Sequence, residues 1–200
     1  MKNINKDINE ISIDDLREKF LCCCLRGNET RNLRSQVTAF ISFYLEWKDR
    51  SRLCRLVPTG GTSEPFFLHL FKGCLLFESL IKANQKHQTN SDTLGKALIE
   101  ISSHIGIPSN IGGKCDNISE IIEDLAGQNN RSIESVIARV LKLRNTLCHD
   151  LNWNVTFNDM MYDQLAGEIS IACLHIISRL YIDNNAPLLT SYPVSKPNLF

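Results

Sequence analysis

Apolar residues recur along this chain at the three-and-four spacing of α-helices. No stretch sustains the alternation of polar and apolar residues that is typical of a half-buried strand. The pattern therefore predicts an all-α fold, with helices over about 32–48, 64–86, 92–104, 132–147 and 158–182. Each helix carries an apolar stripe that has to be buried against another helix, which favours a helical bundle.

A break in this pattern divides the chain. The segment 58–62, Pro-Thr-Gly-Gly-Thr, interrupts the helical spacing with residues that favour turns. We interpret residues 1–57 as an N-terminal helical arm, with a further helix predicted over about 12–26. The main bundle is expected over residues 63–183, and the proline-containing segment 184–200 is expected to be an irregular C-terminal tail.

The charge balance limits how the protein could bind nucleic acid. The 200 residues include 22 basic and 22 acidic side chains, so no net field draws the whole molecule towards a polyanion. A local surface remains possible between residues 26 and 55, where seven basic and three acidic residues leave about +4. Arg50, Arg52 and Arg55 are the candidate RNA contacts in this stretch, although a solvated helix face explains the charges equally well.

The eight cysteines do not form a recognisable framework. The first ten residues are mostly polar and lack the apolar core of a signal peptide, and no CxxC pair occurs in the sequence. We interpret the cysteines as reduced thiols of a cytoplasmic protein and expect neither a metal site nor a cofactor. No apolar run reaches the roughly 18 residues that a transmembrane helix needs, so no membrane association is expected.

A charge lies on the apolar face of the helix predicted over 132–147. At about 100° per residue, Arg144 falls near the middle of the face formed by Ile133, Val136, Ile137, Val140, Leu141, Leu147 and Cys148. Burying an unpaired guanidinium destabilises the folded state by on the order of several kcal/mol or more. Arg144 must therefore meet a carboxylate, a phosphate or a polar cleft.

A charge of opposite sign interrupts the stripe of the helix predicted over 64–86. Glu78 lies at nearly the same angle as Phe71, among Phe67, Leu70, Cys74, Phe77 and Ile81. We hypothesise that Glu78 and Arg144 face each other inside the bundle and that the carboxylate orients the guanidinium. The alternative is an ordinary buried ion pair without a catalytic task.

His149 follows Arg144 by five residues. On an ideal helix this offset places it about 140° away, whereas Asn145 and His149 share a side. A site using both Arg144 and His149 is easier to build if the chain leaves the helix before His149. It is also easier if two subunits meet around a twofold axis and pool their residues.

The run from Arg144 to His149, Arg-Asn-Thr-Leu-Cys-His, resembles the R-x4-6-H signature of HEPN domains. In that family the signature closes a long bundle helix and precedes the last one, which is its place here. The resemblance covers about residues 63–183. One departure concerns Leu151, which stands where HEPN proteins paired with a nucleotidyltransferase carry a tyrosine that the partner modifies, so that arrangement is not expected.

The resemblance implies a metal-independent endoribonuclease. In such an enzyme the 2′-hydroxyl of the RNA attacks the adjacent phosphate and leaves a 2′,3′-cyclic phosphate and a 5′-hydroxyl. Arg144 would hold the phosphate, His149 would act as general base or general acid, and Asn145 would orient the imidazole or donate to a phosphate oxygen. Glu78 would support Arg144.

The resemblance further implies a homodimer with a composite site. Its role would be that of a toxin or defence effector, with an antitoxin or sensor protein as a possible partner. The alternative function, from another class, is a non-catalytic dimer that binds a nucleotide or a partner protein through the same cleft.

The remaining aromatic and imidazole side chains favour structural interpretations. Trp47 and Trp153 could both stack on RNA bases, although packing is the commoner role for tryptophan. Trp153 is the better candidate, because it lies four residues past His149. His69 is expected on the polar side of its helix, in contact with solvent. His175 lies among apolar residues and is expected to be a hydrogen-bonded core histidine.

Overall fold

The structure, a computed structural model, describes seven stretches of the chain, residues 31–49, 64–83, 91–111, 120–121, 123–124, 132–149 and 159–181. They contain five α-helices, α1 (Arg31–Lys48), α2 (Glu64–Lys82), α3 (Leu94–Ile105), α4 (Ile133–His149) and α5 (Asp159–Ile176). A π-helical turn, Ile177–Tyr181, follows α5 directly. No strand occurs within these stretches, and the all-α prediction is confirmed.

The helix ends follow local signals in the sequence. The side chain of Thr93 accepts a hydrogen bond from the amide of Lys96 at the start of α3. Gly106 ends α3 with φ 70°, in the left-handed region that favours glycine. Ser132 caps α4 as expected, because its hydroxyl accepts from the amide of Ser135 at 3.3 Å. Two ends differ from the sequence prediction by more than two residues: α2 ends four residues earlier, and α5 ends at Ile176, six residues earlier, where the π-helical turn begins.

The four long helices form a bundle around α2, which packs against α1, α4 and α5. α1 and α2 are antiparallel, since Gln36 contacts Ser79 at one end of the pair and Glu46 contacts Lys72 towards the other. α5 runs parallel to α2, because His69 contacts Tyr162 and the later Gly73 contacts Ile169. α3 packs on α2 and on the π-helical turn.

The core is apolar and draws on every helix. Its largest fully buried side chains are Tyr162, Phe40, Phe43, Phe77, Leu70, Leu80, Ile81, Leu94, Leu98, Ile101 and Ile105. α1, the described part of the segment interpreted as an arm, contributes four aromatic residues to this core. The division into arm, bundle and tail stays a prediction, because most of the arm and all of the tail lie outside the described residues.

Gly73 sets the separation between three helices. A Cβ atom built on Gly73 would lie 2.6 Å from the ring of Phe43 in α1 and 2.8 Å from Ile169 in α5. Such distances are shorter than van der Waals contact, so only glycine lets α1 and α5 approach α2 this closely.

None of the described helices combines the length and the apolar character needed to cross a membrane.

Candidate functional site

Glu78 of α2 and Arg144 of α4 form the ion pair that the sequence predicted. The Nε of Arg144 donates to Oε2 of Glu78 at 2.8 Å, and Nη2 lies 2.7 Å from the same oxygen. The two side chains lie at the edge of the bundle, with 22% of Arg144 and 12% of Glu78 exposed. The guanidinium is therefore held in one orientation without being removed from solvent.

A second cation shares the carboxylate. Lys82, one turn beyond Glu78 on α2, places its Nζ 2.7 Å from Oε1 of Glu78. Partial burial alone would raise the pKa of Glu78, but the hydrogen bonds from Lys82 and Arg144 outweigh it and hold the pKa below its usual value. Glu78 is thus ionised at neutral pH, and the three side chains together carry a net charge of +1.

Asn145 lies beside the guanidinium. The Nη1 of Arg144 donates to Oδ1 of Asn145 at 3.3 Å. Within the described part of the chain, three of the five N–H donors of Arg144 point to protein groups, which leaves two for a further acceptor. A planar guanidinium oriented in this way can bind an oxyanion such as a phosphate through forked hydrogen bonds.

α4 remains helical through His149. Of the two arrangements that would ease a site with Arg144 and His149, the structure does not form the one in which the chain leaves the helix before His149, because the last turn of α4 includes that residue. The helical geometry keeps position 149 about 140° around the axis from position 144. The side chain of His149 lies outside the described residues, so its separation from Arg144 stays a prediction.

The candidate RNA contacts Arg50, Arg52, Arg55 and Trp153 also lie outside the described residues. Within the described part of the chain, no three histidine, cysteine, aspartate or glutamate side chains lie close enough together to hold a metal ion.

A second ion pair, which was not predicted from the sequence, joins Arg139 of α4 to Glu168 of α5. Nε of Arg139 donates to Oε2 of Glu168 at 2.7 Å, and Nη2 donates to Oε1 at 2.6 Å. Only 3% and 1% of the two side chains are exposed. The sequence does contain a signal for this pair. Glu168 lies between Gly167 and Ile169 in a largely apolar stretch of α5, and Glu78 interrupts the apolar stripe of α2 in a similar way. This pair is closed to solvent and joins α4 to α5, whereas the pair of Arg144 is partly open.

The solvent contact expected for His69 is wrong. The residue is 3% exposed, and the ring of Phe43 from α1 stacks on it at 4.3 Å with an interplanar angle of 7°. His69 Nε2 lies 3.0 Å from the carbonyl oxygen of Phe43, and Nδ1 lies 2.9 Å from the hydroxyl of Tyr162. The face of α2 that looks polar in isolation is covered by α1, and the sequence of α2 alone could not indicate this.

The other interpretations that the structure tests are confirmed. His175 is buried, and its Nε2 lies 2.7 Å from the carbonyl oxygen of Ile105. Trp47 is a packing residue, 6% exposed, and its indole donates to Asp163 at 2.9 Å.

No protein-family model, curated protein or solved structure matches the chain.

Proposed function

We propose that this protein is a HEPN-type, metal-independent endoribonuclease that acts in the cytoplasm as a toxin or defence effector. Its active form is a homodimer, controlled by an antitoxin or sensor protein. The observation that carries the proposal is the partly exposed guanidinium of Arg144, oriented by Glu78 and followed along α4 by Asn145 and His149.

The contrast between two arginines of one helix supports a functional task for Arg144. Arg139 donates two hydrogen bonds to a carboxylate inside the bundle, as expected of a residue that joins two helices. Arg144 is instead 22% exposed and keeps donors for an acceptor from solvent. A phosphate suits this position, because it accepts two parallel hydrogen bonds from a guanidinium.

Helical geometry supports the dimer. Since α4 is intact through residue 149, positions 144 and 149 of one chain lie about 140° apart around the helix axis. Two chains related by a twofold axis can bring the arginine of one next to the histidine of the other. Each catalytic centre would then use both subunits.

The reaction needs proton transfers and charge stabilisation but no metal. His149 takes the proton of the 2′-hydroxyl or protonates the departing 5′-oxygen, since an imidazole titrates near neutral pH. The 2′-oxygen bonds to phosphorus while the bond to the 5′-oxygen breaks, which leaves a 2′,3′-cyclic phosphate. Arg144 stabilises the additional negative charge on the phosphate oxygens, and a flexible single strand or loop allows the in-line attack.

Cleavage of single-stranded RNA in EDTA tests this function. The parent should yield 2′,3′-cyclic phosphate ends, and its expression should slow the growth of its host. Arg144→Ala and His149→Ala should each lower the cleavage rate about 100-fold or more, by analogy with the loss of one oxyanion donor. Lys142→Ala is the matched control, because it removes a positive charge from the opposite side of α4 and should cleave like the parent.

Subunit mixing tests the composite site. If each centre takes its arginine from one subunit and its histidine from the other, a heterodimer of Arg144→Ala and His149→Ala contains one intact centre and regains activity. If both residues come from one chain, the mixture stays inactive and the composite site is refuted. A parent that cleaves no RNA under any of these conditions contradicts the nuclease proposal and favours the non-catalytic dimer.

A further inference from the structure

Two cations share the single carboxylate of Glu78. Its Oε2 binds Arg144 and its Oε1 binds Lys82, each at 2.7 Å. Both cations also reach solvent, since 34% of the Lys82 side chain and 22% of that of Arg144 are exposed. One negative charge between two positive charges leaves a net positive surface with two separate donor groups.

Lys82 has a third N–H bond that no contact with the described residues uses. Its ammonium group contacts Glu78 and donates to the main-chain oxygen of Asp92 at 2.9 Å, which uses two of its three N–H bonds. A phosphate oxygen can therefore approach Lys82 without breaking either contact. Lys82 is also fixed in place by these two contacts, so less side-chain entropy is lost on binding.

The spacing of the two cations suits neighbouring phosphates. Because each nitrogen lies 2.7 Å from an oxygen of the same carboxylate, the nitrogens are no more than about 8 Å apart. Successive phosphates of a flexible single strand can be brought to a comparable separation.

We propose that Lys82 binds the phosphate adjacent to the one held by Arg144, so that the site selects strands with at least two neighbouring phosphates. This inference rests on the proposed nuclease function, because it takes Arg144 as the residue that holds the scissile phosphate. Lys82 is thereby a binding and specificity residue, without a part in the proton transfers.

Minimal substrates test the selectivity. A dinucleotide with one phosphodiester is compared with the same dinucleotide carrying an additional 5′- or 3′-terminal phosphate. The parent should cleave one of the phosphorylated forms with a kcat/KM about tenfold higher, the effect of one charge-assisted hydrogen bond. Lys82→Ala should lose this preference, so that its kcat/KM values for the two substrates become equal, and Lys82→Arg should retain it.

Lys72→Ala is the matched control. Lys72 lies on the same helix, has a similarly exposed side chain and pairs with a carboxylate, that of Glu46, at 2.6 Å. It lies ten residues from Lys82, outside the Glu78 pair. Its removal should leave the preference unchanged, and a Lys82→Ala variant that discriminates like the parent would overturn the proposal.

A binding experiment separates this inference from the nuclease proposal. A short oligodeoxynucleotide lacks the 2′-hydroxyl and so cannot be cleaved by the proposed route, but it carries the same phosphates. The log–log dependence of its binding constant on salt should become shallower by about 0.7 in Lys82→Ala, the value for one contact to a single strand. An unchanged slope refutes the role of Lys82 even if RNA is cleaved. A reduced slope supports it even if the parent cleaves no RNA.

Discussion

The buried imidazole of His69 makes the stability of the bundle depend on pH. Burial lowers the pKa of His69 to about 4, although the carboxylate of Glu46 and the carbonyl of Phe43 favour the charged form. The neutral ring donates from Nε2 to Phe43 and accepts at Nδ1 from the hydroxyl of Tyr162. Protonation of Nδ1 would remove that acceptor and place a charge inside the core.

The size and sign of the effect follow from linkage. An unfolded chain binds the proton at a pKa of about 6.5, so between pH 6.5 and 4 the unfolded state holds more protons than the folded state. The stabilisation present above pH 6.5 is lost as the pH falls through this window. His69 alone should lower the free energy of unfolding by about 1.4 kcal/mol at pH 5.5 and by about 2.5 kcal/mol at pH 4.5.

The perturbation is His69→Gln, which removes the titrating group and keeps an amide that can donate to Phe43. Urea denaturation followed by circular dichroism at pH 7, 5.5 and 4.5 yields the free energy of unfolding of both proteins. The variant should be less stable at pH 7, but it should lose about 1.2 kcal/mol less than the parent on going from pH 7 to pH 5.5. His175, whose pKa burial also lowers, is common to both proteins and cancels. Equal losses in parent and variant would refute the assignment of the pH dependence to His69.

Two further predictions concern packing and the buried ion pair. Gly73→Ala should destabilise the protein by about 1 to 3 kcal/mol in urea denaturation despite the better helix propensity of alanine, because its Cβ would overlap neighbouring side chains. Gly167→Ala, whose Cβ would be at ordinary contact distance, should be tolerated, and equal costs at both positions would contradict the argument. Breaking the pair with Arg139→Met or Glu168→Leu should cost about 3 to 5 kcal/mol in the same assay. The double variant should recover most of this loss, and additive losses would show that the pair is not the cause.

Several features of the protein follow from the sequence because they depend on residues that are close along the chain. Helical periodicity is such a feature, and it predicts the five described helices with ends correct to within a few residues. The misplaced charges Arg144 and Glu78 are another, since each lies on an otherwise apolar face. Burying either charge alone is energetically costly, whereas two opposite charges stabilise each other, and the pair was predicted for that reason.

The tertiary structure decided which faces are covered and by what. His69 lies on a face that is polar within α2, yet α1 packs over it, and no pattern local to α2 records the approach of another helix. Helix packing also decides which arginine is exposed to solvent. Arg139 is buried with Glu168 against α5, whereas Arg144 lies at an edge of the bundle and is partly exposed. The sequence determines the periodicity of each helix. The solvent exposure of a side chain depends on how several helices pack together, which is a property of the assembled bundle.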